Sequence, residues 1–139
     1  MPLQIVIDTN VLVAAARSNA GASFELIRRF AAGDGCWQWN ISTAMIVEYE
    51  AVLKREQHRQ GRDLAVVDRF LDDVVARANR HVIFYLIRPH LADANDEFIL
   101  ELALASASDY IVTHNRSDFR DVERFGVKVV TPGEFLRMI

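Results

Sequence analysis

Four acidic residues lie after successive apolar runs of this sequence: Asp8, Glu48, Asp96 and Asp118. Carboxylates that are brought close together repel one another and raise one another's pKa. A bound divalent cation compensates this repulsion. Oxygen ligands favour Mg²⁺ or Mn²⁺ over zinc, and the sequence has no pattern of Cys and His ligands. A cation held in this way can activate water and stabilise the charge that develops on a phosphodiester. The four acids therefore predict metal-dependent phosphodiester hydrolysis if the fold brings them together.

Each acid also has an ordinary structural explanation. Asp93 and Asp96 are three residues apart, so they could cap a helix and interact with its N-terminal dipole. Asp118 could cap a short helix, and a lone helical Glu48 is usually solvated. Glu97 is expected to be solvent-exposed. The metal hypothesis therefore depends on the joint placement of the acids and not on any one of them.

The pattern of apolar residues predicts the elements that must position these acids. Five apolar runs have the length of buried strands: 3–7, 36–41, 82–86, 110–113 and 127–130. Six segments are compatible with helices: 11–16, 24–31, 43–57, 64–79, 93–106 and 133–138. This alternation predicts a three-layer α/β/α fold with a five-stranded, mainly parallel sheet. In such sheets ligands bind beyond the carboxyl ends of the strands, where the strand order reverses.

Composition indicates an ordinary globular chain. The 139 residues, 51% hydrophobic and 25% charged, predict a single domain over residues 1–139. The net charge of −3 gives no bulk attraction to nucleic acid, so any such binding needs local positive charge. No apolar run could span a bilayer and no signal peptide is evident, so we expect a cytoplasmic protein. Cys36, the single cysteine, excludes an intrachain disulfide and is expected to be buried.

Five motifs together resemble the PIN-domain family, and the match covers nearly the whole chain. In order they are Ile7-Asp8-Thr9-Asn10-Val11, Ser42 with Glu48, Asp93-Ala94-Asn95-Asp96 before Phe98-Ile99-Leu100, Ile111-Val112-Thr113-His114-Asn115 with Asp118-Phe119, and Thr131-Pro132-Gly133-Glu134-Phe135. The opening motif alone is only moderately specific, whereas all five in this order are quite specific. Within this family the chain resembles the single-domain bacterial and archaeal VapC-like proteins that are toxins of toxin–antitoxin pairs.

This resemblance implies Mg²⁺- or Mn²⁺-dependent endoribonuclease activity, frequent homodimers and inhibition by a cognate antitoxin protein. By position, Asp8, Glu48 and Asp96 correspond to the three core acids of the metal site. Some relatives carry the fourth acid at the position of Asn115 and others three residues later. We assign Asp118 as the fourth acid and Asn115 as a supporting polar group. Thr9, Asn10 and Thr113 are expected to orient carboxylates or water by hydrogen bonds. Asp93 is expected to assist Asp96 or to cap the helix.

Three arginines are candidates for contacts with RNA phosphates, because they fall in segments beside the expected cleft: Arg17, Arg116 and Arg120. Fourteen of the sixteen basic residues are Arg, whose planar guanidinium suits phosphate, although genome composition explains that bias equally well. Solvated surface arginine is at least as good an explanation for each of the three.

Other functions compete with the nuclease hypothesis. A response-regulator receiver would have an acidic pair after its first strand, and a phosphatase with a strand-end nucleophile would have Asp where this chain has Asn10. Both fit poorly. The stronger alternative is a catalytically inactive PIN-fold domain that binds RNA or a protein partner. The intact set of four acids argues against that alternative.

Overall fold

The computed structural model describes residues 2–83, 94–119 and 122–139, with only the backbone of residues 94 and 95. Asp93 and Arg120, which the sequence suggested as site residues, lie outside the described residues. So do positions 84–86 of the predicted third strand.

Five strands in the described residues form one parallel sheet. They are β1 (Leu3–Ile7), β2 (Trp37–Ser42), β3 (Asn79–His81), β4 (Tyr110–Val112) and β5 (Lys128–Val130). The strand order is β3-β2-β1-β4-β5. The chain therefore builds outward from β1 to β3 and then crosses to the other side of β1 for β4 and β5. The strand order reverses between β1 and β4, which is where such folds bind ligands.

Helices flank this sheet, so the predicted α/β/α architecture is confirmed. They are α1 (Thr9–Arg17), α2 (Ala22–Ala31), α3 (Thr43–Arg59), α4 (Ala65–Arg77), α5 (Ala94–Ala105) and α6 (Pro132–Leu136), with two short 3₁₀ helices at Arg116–Phe119 and Val122–Phe125. α1 packs against α2 and α3, and α5 packs against α3 and the central strands. The Ser42 hydroxyl accepts a hydrogen bond from the Met45 amide and so caps α3. The described part of the chain contains no helix with both the length and the apolarity that a bilayer crossing requires.

β1 lies at the centre of the hydrophobic core. The side chains of Ile5, Val6 and Ile7 are completely buried, as expected for a parallel strand that is covered on both faces. β2 and β4 pair with β1 on either side. The residue that follows β1 therefore begins in a buried environment, although it is the acid Asp8.

Two local predictions are wrong. The third strand of the described residues is the polar segment Asn79–His81, and Val82 and Ile83, the described part of the predicted apolar run, lie outside it. The Val82 side chain is exposed. Among the described strands, β3 pairs only with β2 at the edge of the sheet, so its side chains can remain hydrated while its backbone completes the ladder. Cys36 is exposed and not buried. It lies in the turn before β2, where its amide donates to the Asp34 carboxylate.

Candidate functional site

Asp8 lies at the point where the strand order of the sheet reverses. It directly follows β1 and occupies the N-cap position of α1. Its amide donates to the carbonyl oxygen of Val112 at the end of β4, at 2.9 Å. Only 7% of the Asp8 residue surface is exposed. The fold thus holds a largely buried carboxylate between the carboxyl ends of its two central strands.

Thr113 fixes the orientation of the Asp8 carboxylate. Its hydroxyl donates to Asp8 Oδ2 at 2.7 Å. The hydroxyl oxygen of Thr113 also accepts hydrogen bonds, from Asn10 Nδ2 at 3.3 Å and from the Asn115 amide at 3.0 Å. A hydroxyl has one donor and two acceptor sites, so Thr113 uses its full capacity. Asn10 in turn accepts from the His114 amide at 3.2 Å, which ties the segment after β1 to the segment after β4.

The electrostatic environment of Asp8 disfavours its charge. Burial raises the pKa of Asp8 above its ordinary value. The hydrogen bond from Thr113 and those from the amides of Asn10 and Thr9 offset part of this effect. The negative charge of Asp118 raises the pKa of Asp8 further. Asp8 and Asp118 are therefore close enough to interact, which is the situation that a bound cation relieves.

An open cleft of about 570 Å³ lies beside Asp8. All four acids that the sequence suggested line it: Asp8, Glu48, Asp96 and Asp118. Asp96 comes from the first turn of α5 and Glu48 from α3, so acids from four separate parts of the chain share one cavity wall. Among the described residues, no three His, Cys, Asp or Glu side chains lie close enough together to hold a metal ion as they stand.

The supporting residues also gather at this cleft. Thr9, Asn10 and Asn115 line it together with the acids. Thr113 lies behind them and is completely buried. The structure thus places every described residue that the sequence assigned as an acid or a supporting residue of the metal site at or directly behind this cleft.

Tyr49 positions the helix that carries Glu48, and sequence reasoning missed it. Its hydroxyl donates to the carbonyl oxygen of Ile7, directly before Asp8, and Trp39 Nε1 donates to the Tyr49 oxygen at 3.4 Å. Burial raises the pKa of Tyr49, so the group remains a neutral donor. This contact fixes α3 against the end of β1. A tyrosine among the apolar positions of α3 was the one available signal.

Glu97 is buried, and the expectation of solvent exposure is wrong. The helix α5 packs against β1, β2 and β4 and also against α3. Two of its flanks are therefore covered, so the neighbours Asp96 and Glu97 are both buried although they point in different directions around the helix.

The two described arginines of the expected phosphate site differ in position. Arg17 lines the cleft, and its guanidinium also donates to the carboxylate of Glu56 at 2.9 and 3.2 Å. Arg116 donates to both carboxylate oxygens of Glu134 on α6, each at 3.3 Å. Arg116 is not among the described residues that line the cleft.

Comparison with known proteins identifies the family. A family model described as PIN domain matches residues 4–117, so the chain belongs to the PIN-domain family. PIN domains are generally nucleases and are typically dependent on divalent metal ions. A search of curated proteins gave no match.

A solved structure shows the same fold. The crystal structure of VapBC2 from Rickettsia felis was solved with a DNA fragment from the VapBC2 promoter. One of its chains is 15% identical in sequence to this chain and superposes on it with a TM-score of 0.54. The match covers 92% of this chain and 97% of that chain.

Proposed function

We propose that this chain is a metal-dependent endoribonuclease that hydrolyses RNA phosphodiester bonds. The observation that carries the proposal is the position of Asp8. It is a desolvated acid at the strand-order reversal, near Asp118 and in the same cleft as Glu48 and Asp96. A buried acid with a raised pKa and an acidic neighbour in a cleft is typical of a functional site.

The donor set suits Mg²⁺ or Mn²⁺, because all four acids offer oxygen ligands. Asp8, Glu48, Asp96 and Asp118 would hold the cation, with Asn115 beside Asp118 as a further polar group. Because no three acids of the described residues lie close enough to hold a metal ion as they stand, binding would involve a rearrangement of side chains around Asp8. The cation, when bound, supplies Lewis-acid stabilisation of the phosphodiester and lowers the pKa of a water molecule.

Residues around Asp8 fix the orientation of its carboxylate. Thr113 holds the Asp8 carboxylate in one orientation, and Asn10 holds the Thr113 hydroxyl. Because α1 begins directly after Asp8 and the Asp8 amide donates to Val112, the backbone of Asp8 cannot shift without disturbing β1, β4 and α1 together. The cleft is open to solvent, so it admits both a nucleic-acid strand and the water that hydrolysis consumes.

We further propose that the protein is the toxin of a toxin–antitoxin pair: a cytoplasmic, single-domain protein that forms a homodimer and binds a cognate antitoxin. The similarity of its fold to a chain of VapBC2 supports this role. Co-expression with the product of a short neighbouring gene tests it, because only a cognate antitoxin should co-purify with the chain and suppress RNA cleavage.

A nuclease assay tests the catalytic assignment. We expect the wild-type protein to cleave RNA with Mn²⁺, and Asp8→Ala to lose about 10²- to 10³-fold in rate, as for loss of one group that stabilises transition-state charge. Asp72→Ala is the control, because Asp72 is an exposed acid on α4. Cleavage that survives Asp8→Ala, or no cleavage of any RNA, would contradict the assignment. RNA binding without cleavage would instead support an inactive binding domain.

A further inference from the structure

Glu56 is a buried acid on α3 that has no role in the chemistry above. Only 5% of its surface is exposed. Its carboxylate accepts hydrogen bonds from Arg17 Nε at 2.9 Å and Nη2 at 3.2 Å. It also accepts from Arg59 Nε at 3.2 Å and Nη2 at 2.6 Å, and from Gln60 Nε2 at 2.6 Å. One carboxylate thus holds two guanidinium groups, and we call Arg17, Glu56 and Arg59 the arginine clamp.

The arginine clamp retains unused binding capacity. Two cations and one anion leave a net charge of +1. Each guanidinium has five N–H donors and directs two of its nitrogens at Glu56, so further N–H groups remain. The side chains of Arg17 and Arg59 are more than half exposed, although their shared partner is buried. Arg59 and Arg17 hold the pKa of Glu56 well below its usual range, so this arrangement persists at neutral pH.

The arginine clamp reaches the acidic cleft through Arg17. Arg17 lines the cleft at the last turn of α1, whereas Asp8 precedes the first turn. Arg17 is nine positions after Asp8, which corresponds to a rise of about 13.5 Å along the helix axis. An anion at the clamp would therefore not be the group that reacts beside Asp8. A polyanion that entered the cleft would bring a second negative charge to the clamp.

We propose that Arg17 and Arg59, held in place by Glu56, form a second phosphate subsite that binds the RNA backbone next to the reacting phosphodiester. This inference rests on the proposed ribonuclease function. A chain with net charge −3 needs local positive charge to bind RNA, and paired guanidinium groups bind phosphate oxygens in a fork geometry. Glu56 acts as a positioning residue, because it fixes two flexible side chains before the substrate arrives.

Binding experiments without metal separate this subsite from catalysis. The probe is a short fluorescein-labelled single-stranded RNA, titrated by fluorescence anisotropy in EDTA at several KCl concentrations. We expect Arg17→Gln and Arg59→Gln each to reduce the slope of log K against log [KCl] by about 0.7, the value for one phosphate contact on a single strand. In cleavage assays with Mn²⁺, both variants should raise KM and leave kcat unchanged.

Arg28→Gln is the matched control for these variants. Arg28 forms a two-pronged ion pair with Glu25 on α2, and its side chain is 55% exposed, against 56% for Arg17. Its removal changes the net charge equally but should leave the salt slope and KM unaltered. In Arg17→Gln, Glu56 keeps Arg59 and Gln60 as partners, so the protein should remain folded.

Glu56→Gln distinguishes positioning from simple charge. Removal of this acid adds one positive charge to the region, so electrostatics alone would tighten RNA binding. Loss of positioning predicts the opposite, a weakening of about two- to tenfold. Tighter binding by Glu56→Gln, or unchanged slopes in the arginine variants of a protein that cleaves RNA, would overturn the subsite alone. A wild-type protein that neither binds nor cleaves RNA would overturn the subsite and the proposed function together.

Discussion

Two buried carboxylates lie near opposite ends of α1, and their environments differ. Asp8 precedes the first turn and is 7% exposed, whereas Glu56 binds Arg17 of the last turn and is 5% exposed. Their pKa values nevertheless move in opposite directions. Burial raises the pKa of Asp8, while the guanidinium groups of Arg59 and Arg17 lower that of Glu56.

The difference shows that burial alone does not decide the state of an acid. Desolvation acts in the same direction on both carboxylates, but Glu56 has two cations of the chain as partners. Asp8 has a neutral hydroxyl donor and a neighbouring acid, Asp118. A divalent cation would relieve Asp8 and has nothing to add at Glu56. We therefore treat Glu56 as an acid that orders the protein and Asp8 as one prepared for a cation.

The largest expected effect is stabilisation of the wild-type protein by Mn²⁺. At an Mn²⁺ concentration about 100 times the Kd, binding should add about 2.7 kcal/mol to the free energy of unfolding. For a chain of this size that corresponds to a rise in Tm of about 8 °C. Asp8→Asn removes a negatively charged ligand, so the rise should disappear. Differential scanning calorimetry with Mn²⁺ or EDTA measures both.

Glu56→Gln sharpens the comparison within the same experiment. In the wild type the Glu56 carboxylate already has cationic partners, so it is not expected to bind Mn²⁺. The Glu56→Gln variant should therefore keep the full Mn²⁺ response, although its Tm in EDTA should be lower. An equal Mn²⁺ response in Asp8→Asn would place the cation elsewhere and contradict the contrast between the two acids.

A smaller effect is expected from the hydroxyl that orients Asp8. Thr113→Val keeps the shape of the side chain but removes the donor to Asp8 and the acceptor for Asn10. RNA cleavage should fall by about 10- to 100-fold, as for loss of a group that orients a metal ligand. Thr113→Ser retains the hydroxyl and should remain close to wild type. If the valine variant cleaved as well as the serine variant, this hydrogen bond would not position the site.

The fold could be predicted from the sequence because strands and helices are indicated by patterns of neighbouring residues. Apolar runs and helical spacing predict the alternation of strands and helices. In a parallel sheet of this kind, Asp8 and Asp118 are then expected at the same end of the sheet, where the strands have their carboxyl ends. The prediction failed at β3, because an edge strand needs backbone partners and not apolar side chains. Pattern alone could not find the polar segment Asn79–His81.

The pairing of side chains across the site was not accessible in the same way. The sequence suggested Arg17 as a phosphate contact but gave no sign of its partner Glu56, which lies 39 positions away. Thr113 and Asp8 are 105 positions apart, and their hydrogen bond depends on the exact end of two strands. Residue types and spacing can indicate which side chains meet at the carboxyl ends of the strands. They do not determine which donor each acceptor receives.

The smallest expected effect concerns acid stability and uses Glu56 alone. Because its folded pKa lies below the ordinary 4.5, the ionised group stabilises the protein fully above that pH, and the contribution is lost as pH falls toward the folded value. Glu56→Gln lacks this group, so its Tm should be lower than that of the wild type at neutral pH, and the difference should shrink as the pH is lowered to about 3.

Asp8→Asn in EDTA should show the opposite difference, a Tm higher than that of the wild type at neutral pH. The raised pKa of Asp8 means that its ionised form destabilises the folded protein above the ordinary value of 3.8, and protonation at lower pH removes this destabilisation. Thermal unfolding across this pH range measures both variants against the wild type. A Tm difference for Glu56→Gln that stayed constant with pH would mean that the two arginines contribute to stability by packing and not through the charge of Glu56.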